Sequence, residues 1–307
     1  MTARTSRING PRRFGPLEPL DRRLAAWRPG LADIALADLI AASNYASPVQ
    51  MRLGALSAPL LAAPAPDATM VSELLHGEGF AVLDRAEGWA WGYCLADHYV
   101  GYVAVDALVM PADEGNEARI GPGDGLLFAR PSIKATTIAT LPMGAVIDWH
   151  PHDEQFVQIA SGPYAGRFLH RRHLLPEGAD RVDLALHFLG APYRWGGRSR
   201  AGVDCSGLVQ VASQLSGQPL RRDTDMQAAD IQARVATASR GDLAWWPGHI
   251  GIMLDETRLL HANARWMRCV IEPLADVIAR AGGDAVLLRP QTVKVARKST
   301  ELLVNHA

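Results

Sequence analysis

Between Val49 and Val109 the chain is cut by Gly, Pro and Asp into short alternating apolar runs: PVQMRLGAL, MVSELLHGEGFAVLDRAEGWAWGYCL and YVGYVAVDALV. Alternation at a period of two puts one face into a core and the other into water, so runs of this spacing predict strands of a small antiparallel barrel. A second set follows from about Arg119 to Pro176, with GLLFARPS, IATLPMGAVIDWH, EQFVQIASG and GRFLHRRHLLP. Both sets run through an initial strand, a polar loop containing Pro, an apolar strand closed by Gly, an aromatic strand and a final strand ending in Leu. The pair reads as an internal repeat of two barrels, over 49–112 and 113–177.

Residues 1–48 precede them. The first 20 or so carry Arg, Gly and Pro without periodicity and predict a flexible arm. Leu31, Ile34, Ala35, Asp38 and Leu39 predict a short helix after Pro29 and Gly30. The segment 178–293 opens with helical periodicity at Val182, Ala185, Leu186 and Leu189 and closes with short strands at GDLAWW, HIGIML, RLLHAN, CVIEPL and AVLLRP. Helices followed by an antiparallel sheet mark an α+β domain. The fold class expected is therefore multi-domain, two small β-barrels followed by an α+β domain, with a polar tail over 294–307.

The run Tyr193–Gly207, YRWGGRSRAGVDCSG, carries the chemistry. Gly196, Gly197 and Gly202 supply a turn, Asp204 or Ser206 can cap the next segment, and Leu208, Val209, Val211, Ala212 and Leu215 recur at helical spacing up to Gly217. Cys205 then stands at a helix N-terminus, whose free N–H groups and positive dipole end favour a thiolate, the form a cysteine nucleophile needs. A thiol also needs a base and a group that orients the base. His249 opens HIGIML and His261 ends RLLHAN; paired as a hairpin, these strands bring the two imidazoles within reach of each other. The arrangement reads as Cys205 nucleophile, His249 base and His261 orienter. A Cys/His/His zinc site is the alternative, but a fourth ligand is not obvious and the spacing matches no common zinc pattern. No metal or organic cofactor is expected.

Composition excludes more than it assigns. The 48% hydrophobic and 21% charged fractions are those of an ordinary soluble protein, and a formal net charge of -1 offers no basic excess for nucleic acid or an anionic membrane. Cys94, Cys205 and Cys269 are too widely spaced for a disulfide framework or a metal knuckle. With no apolar run of about 20 residues and no leader-like N-terminus, a cytoplasmic location is expected.

In YRWGG, the DCSG turn, RRDT with Gln227 downstream, GDLAWW, HIGIML and RLLHAN, taken in that order, the third segment resembles the NlpC-type cell-wall cysteine peptidases, a papain-like clan. The two upstream segments resemble bacterial SH3-like domains, and LDRRLAAWRPGLAD is similar to the lead-in of the members that act on short muropeptides. The resemblance implies a γ-D-glutamyl-L-diamino-acid endopeptidase acting on L-Ala-γ-D-Glu-diamino acid stem peptides of peptidoglycan. It implies Cys205, His249 and His261 as a catalytic triad and Tyr193 as a donor to the oxyanion or the substrate. It further implies that Asp204, Ser206, Asp223 and Thr224 line the cleft, that the first barrel walls it with Tyr99, and that an acidic residue of that barrel, Glu78, Glu87 or Asp97, contributes to holding a free N-terminal amine. Two other readings use the same residues: a wall-binding module that has lost activity, and an amidase or acyltransferase.

Overall fold

The computed structural model describes residues 20–112 and 115–291; the arm expected at the N-terminus and the tail expected over 294–307 lie outside them. Strands form where the alternation placed them. Val49–Leu53 exposes Val49 and Gln50 and buries Met51 and Leu53, while Gly79–Ala86 buries Phe80 to Leu83 in succession because it lies in mid-sheet. The first segment is a seven-stranded sheet with the order Leu108–Val109, Val49–Leu53, Gly79–Ala86, Trp89–Cys94, Val100–Ala104, Ser57–Leu61, Met70–Leu75. Leu53, Leu60, Leu74, Phe80 and Val103 fill its core.

The second segment forms a six-stranded sheet with its own core of Ile120, Leu127, Leu141, Val157 and Leu169. Its order is Asn116–Arg119, Val146–Pro151, Phe156–Ile159, Phe168–His170, Gly125–Phe128, Thr137–Leu141. Numbered from Val49–Leu53 and from Asn116–Arg119, the six strands of either segment run first, fourth, fifth, sixth, second, third; only the added edge strand Leu108–Val109 distinguishes the first sheet. The repeat legible in sequence is thus a repeat of topology. In both sheets the hydrogen-bonded order is linear among the described residues.

The helix expected over Leu31–Leu39 does not form. Leu31–Asp33 is a strand between Trp27–Arg28 and Tyr45–Ala46, and only Ile34–Leu36 makes a 3-10 turn. The Asp33 carboxylate accepts the Ala35 N–H at 2.9 Å, an Asx-type closure that competes with helix propagation.

In the third segment a five-stranded antiparallel sheet has the order Arg268–Pro273, Arg258–Asn263, His249–Met253, Leu243–Trp246, Val286–Leu288. Helix α1 (Arg181–Leu186) begins at Asp180, whose carboxylate accepts the Val182 and Asp183 N–H groups. Helix α2 (Cys205–Leu215) lays Leu208, Val209, Val211 and Ala212 on Ile250, Ile252 and Leu260 of the sheet. Helix α3 (Thr224–Asp230) inserts Met226 into the core of the first sheet, one of the side chains that tie the two segments together. Helix α4 (Leu274–Ala281), between the last two strands, was not anticipated. Leu274, Val277 and Ile278 meet at helical spacing on one face, and Gly282 ends the helix in the left-handed conformation at φ 74°.

Candidate active site

Of the two capping candidates before α2, Asp204 takes the role: its Oδ1 accepts the Gly207 N–H at 2.7 Å. Its Oδ2 accepts the Gly196 N–H at 2.7 Å, so one carboxylate closes both ends of the Gly-rich turn. The turn is tight enough that a Cβ at Gly207 would stand 2.2 Å from the Gly197 carbonyl oxygen, which requires glycine there. Arg222, only 1% exposed, clamps the same carboxylate with both terminal nitrogens at 3.0 and 2.6 Å, and also donates to Ser206 Oγ at 2.7 Å and to Ser72 Oγ of the first sheet at 3.1 Å. Asp204 and Ser206, expected to line the cleft, are instead buried and engaged by Arg222: they hold the turn that presents Cys205. Gln227 fixes the same turn by donating to the Ser206 carbonyl at 2.9 Å.

Burial works against the expected thiolate. Cys205 is 7% exposed, and burial pushes its thiol up to about 11, the Asp204 charge adding to the effect. Against this act the N–H of Ile250, the charge of Arg222 and the N–H of Ser206, without reversing it. Loss of water outweighs the helix end because the ionised form would have to be solvated by only a few fixed donors.

The hairpin brings the histidines together. His249 Nε2 lies 2.8 Å from His261 Nδ1, with ring centroids 5.0 Å apart. A Cβ at Gly251 would stand 2.9 Å from the His261 Cβ, so glycine at that position lets His261 pack close over the strand that carries His249. Burial lowers His249 to about 4, with His261 adding and Glu272 opposing; burial likewise lowers His261. Ile250, which follows His249 directly in the chain, shares a core cluster with Cys205, so the strand that carries the base packs against the start of α2. Tyr193 raises the facing wall; its phenol is pushed up to about 12 by burial, then by Cys205 and Asp204 close by.

On the side of the first sheet, the Tyr99 hydroxyl donates to Asp223 Oδ2 at 2.9 Å. Asp223 holds the N-cap position of α3 without capping it; the same Oδ2 also accepts from Arg23 at 2.8 Å, and Oδ1 takes no hydrogen bond among the described residues. Arg23 is further bound by Asp21 and Asp225. Thr224 is half-buried at the start of α3, with its hydroxyl free of hydrogen bonds among the described residues.

None of the three acidic candidates of the first sheet faces this position. Glu78 is buried in an ion pair with Arg198 at 2.7 Å, Asp97 accepts from Gln210 at 2.7 Å, and Glu87 lies in the exposed turn between Gly79–Ala86 and Trp89–Cys94. Glu73 is buried as well, accepting the Arg198 N–H at 2.7 Å. Arg222, Arg198 and Glu272 were not singled out in the sequence; a charge that ends buried looks there like any surface charge.

Comparison with known proteins gives two family matches. The model described as bacterial dipeptidyl-peptidase Sh3 domain matches residues 60–108, and the NlpC/P60 family matches residues 190–278. Dipeptidyl-peptidase 6 of Lysinibacillus sphaericus is 30% identical over 233 residues, covering 68% of this chain and 86% of its own length. Gamma-D-glutamyl-L-lysine dipeptidyl-peptidase of Bacillus subtilis is 28% identical over 112 residues, 32% of this chain and 36% of that protein. A crystal structure of an NlpC/P60 family protein from Bacillus cereus superposes with a TM-score of 0.67 at 18% identity, over 78% of this chain and 99% of that one, a likeness of fold. With one family model lying across Cys205, His249 and His261 and a relative matched along most of both chains, this chain belongs to the NlpC/P60 family of cysteine peptidases and carries an SH3 domain ahead of the peptidase domain.

Proposed function

We propose that the protein hydrolyses the bond between γ-D-Glu and an L-diamino acid in short peptidoglycan peptides that begin with a free L-Ala. The observation that carries this reading is the Asp223 carboxylate: it stands at a helix start without capping it, takes the Tyr99 hydroxyl from the neighbouring domain, and accepts no hydrogen bond at Oδ1 among the described residues. A carboxylate hydrogen-bonded to a phenol oxygen suits an ammonium group, which is costly to bury unless it is paired. The three carboxylates Asp21, Asp223 and Asp225 outnumber the one guanidinium of Arg23 among them, leaving net negative charge for a second cation. The name of the Bacillus subtilis relative, a gamma-D-glutamyl-L-lysine dipeptidyl-peptidase, supports this substrate class, and that of the Lysinibacillus sphaericus relative supports a dipeptidyl-peptidase.

The chemistry follows from the neutral resting pair. As the Cys205 sulfur attacks the γ-carbonyl carbon, its proton passes to His249; the Cys205 N–H and the Tyr193 hydroxyl donate to the developing oxyanion. His249 then protonates the departing amine, the C–N bond breaks, and a thioester remains. Water gives a proton to His249 as it attacks the thioester, and the C–S bond breaks to restore the thiol. His261 holds His249 throughout, and Thr224, with Tyr99 and Asp223, borders the position of the peptide's amino end.

The test is L-Ala-γ-D-Glu-meso-diaminopimelate beside the same peptide acetylated at its N-terminus, with products read by mass spectrometry and Cys205→Ala as control. Release of the free diamino acid from the first peptide alone, lost in the variant, is expected. Equal cleavage of both removes the amine pocket, and cleavage of neither ends the reading.

A further inference from the structure

His261 is fully buried, and each of its ring nitrogens has a partner: His249 Nε2 at 2.8 Å from Nδ1 and Glu272 Oε2 at 3.0 Å from Nε2. Glu272 comes from the strand Arg268–Pro273, where Val270 is the residue opposite His261, so two residues further on it stands on the same face. Its carboxylate also accepts from Trp266 Nε1 at 2.9 Å and pairs with Arg280 of α4 at 2.8 Å. Although burial opposes ionisation, the Trp266 and His261 donors hold its carboxyl below the usual range.

An ionised carboxylate only accepts, so His261 must carry its hydrogen on Nε2. A neutral imidazole has one such hydrogen; His261 Nδ1 is then a lone pair, and His249 Nε2, its partner, must donate. The hydrogen of His249 is thereby committed to Nε2, and its Nδ1 is left as the lone pair that can receive the thiol proton. With Glu272 removed, His261 is free to carry its hydrogen on Nδ1 and donate to His249, which moves the His249 hydrogen onto Nδ1 and puts a donor where the base is required.

We propose that Glu272 is a positioning residue of the reaction: by accepting from His261 it sets the tautomers of both imidazoles and keeps His249 Nδ1 unprotonated for Cys205. The assignment rests on the reading of Cys205 as nucleophile and His249 as base. It also gives α4 a purpose, since Arg280 on that helix neutralises the carboxylate from behind. The titratable and charged groups around the pair are Cys205 and Asp204 at the start of α2, Arg222 behind Asp204, Tyr193 opposite, Glu272 on the next strand and Arg280 on α4.

Glu272→Ala, Glu272→Gln, His261→Ala and the double variant His261→Ala/Glu272→Ala are assayed on the free-amine peptide. Glu272→Ala is expected to lower kcat on the order of 10- to 100-fold with KM within about twofold, because the residue acts through another group. On the His261→Ala background the same substitution is expected to change kcat by less than about twofold, a non-additivity that mere loss of stability does not produce. Glu272→Gln keeps an oxygen acceptor but removes the charge that raises the proton affinity of both histidines, so the acid limb of kcat/KM is expected to move to lower pH.

A second measurement needs no turnover: ¹⁵N shifts of the histidine rings. The wild type is expected to show His249 protonated at Nε2 and bare at Nδ1, and Glu272→Ala a mixture. Multiplicative effects in the double variant, or a wild-type His249 protonated at Nδ1, overturn the proposal. Should the wild type leave the peptide intact, the substrate reading fails while the ring shifts still decide the role of Glu272; should Glu272→Ala not fold, the wild type and Glu272→Gln shifts decide it.

Discussion

Asp223→Asn removes one charge from the site proposed for the substrate amine and leaves the side-chain shape intact. An ammonium about 4 Å from a carboxylate at an effective dielectric of about 20 gains roughly 4 kcal/mol. Here Arg23 shares the same carboxylate at 2.8 Å and the side chain is 27% exposed, both of which reduce the gain. About 1.5–3 kcal/mol, the range of a charge-assisted hydrogen bond, remains. That is roughly a 10- to 150-fold fall in kcat/KM for the free-amine peptide. The acetylated peptide, which has no charge to lose, should change by less than about threefold. Folding is a small confounder, because Arg23 keeps Asp21 and Asp225, and an exposed pair is worth about 0–1 kcal/mol. Steady-state kinetics on both peptides, beside a thermal scan, separate the effects. Equal falls for the two peptides would refute the amine-recognition argument, since an electrostatic effect on an ammonium cannot act on an acetamide.

Other expectations follow from the buried charges. Arg198→Met removes the ion-pair partner of the buried Glu78, while Glu73 keeps Arg194 and the backbone N–H at position 198, at a cost of about 3–5 kcal/mol in denaturant unfolding; a loss under about 1 kcal/mol contradicts the reading of a buried pair. Alkylation of Cys205 by iodoacetamide should be slow at pH 7 and climb as pH approaches about 11, whereas a rate already saturated near pH 6 would show a resting thiolate. For His249, with an ordinary value of 6.5 lowered by burial to about 4 in the fold, the unfolded chain binds the proton more readily. Its contribution to stability is therefore complete above pH 6.5 and lost as pH falls toward 4, so urea midpoints should drop across that window. His249→Gln, which has nothing to titrate, should flatten that part of the profile.

Strands and their repetition were legible because alternation is a local record of which face is buried; the shared strand order of the two sheets follows the shared order of elements in the chain. The start of α2 was equally local: glycines, a capping Asp and an apolar face lie within a few residues of Cys205. Leu31–Leu39 misled because Asp33 closes a turn on its own backbone, and α4 was passed over because its apolar face is short.

By itself the sequence determined most of the strands and their order, the thiol at a helix start and the two imidazoles on adjacent strands, all of them properties of spacing. Tertiary structure alone decided the burial that raises that thiol, the burial of Asp204 under Arg222, the meeting of Asp223 with Tyr99, and the link from Glu272 through His261 to His249. Tyr99 and Asp223 lie 124 positions apart, and the solvation of a charge depends on which groups meet it in space. Local pattern records which face of an element is buried, whereas the proton affinities of the site depend on distances between elements that only packing sets.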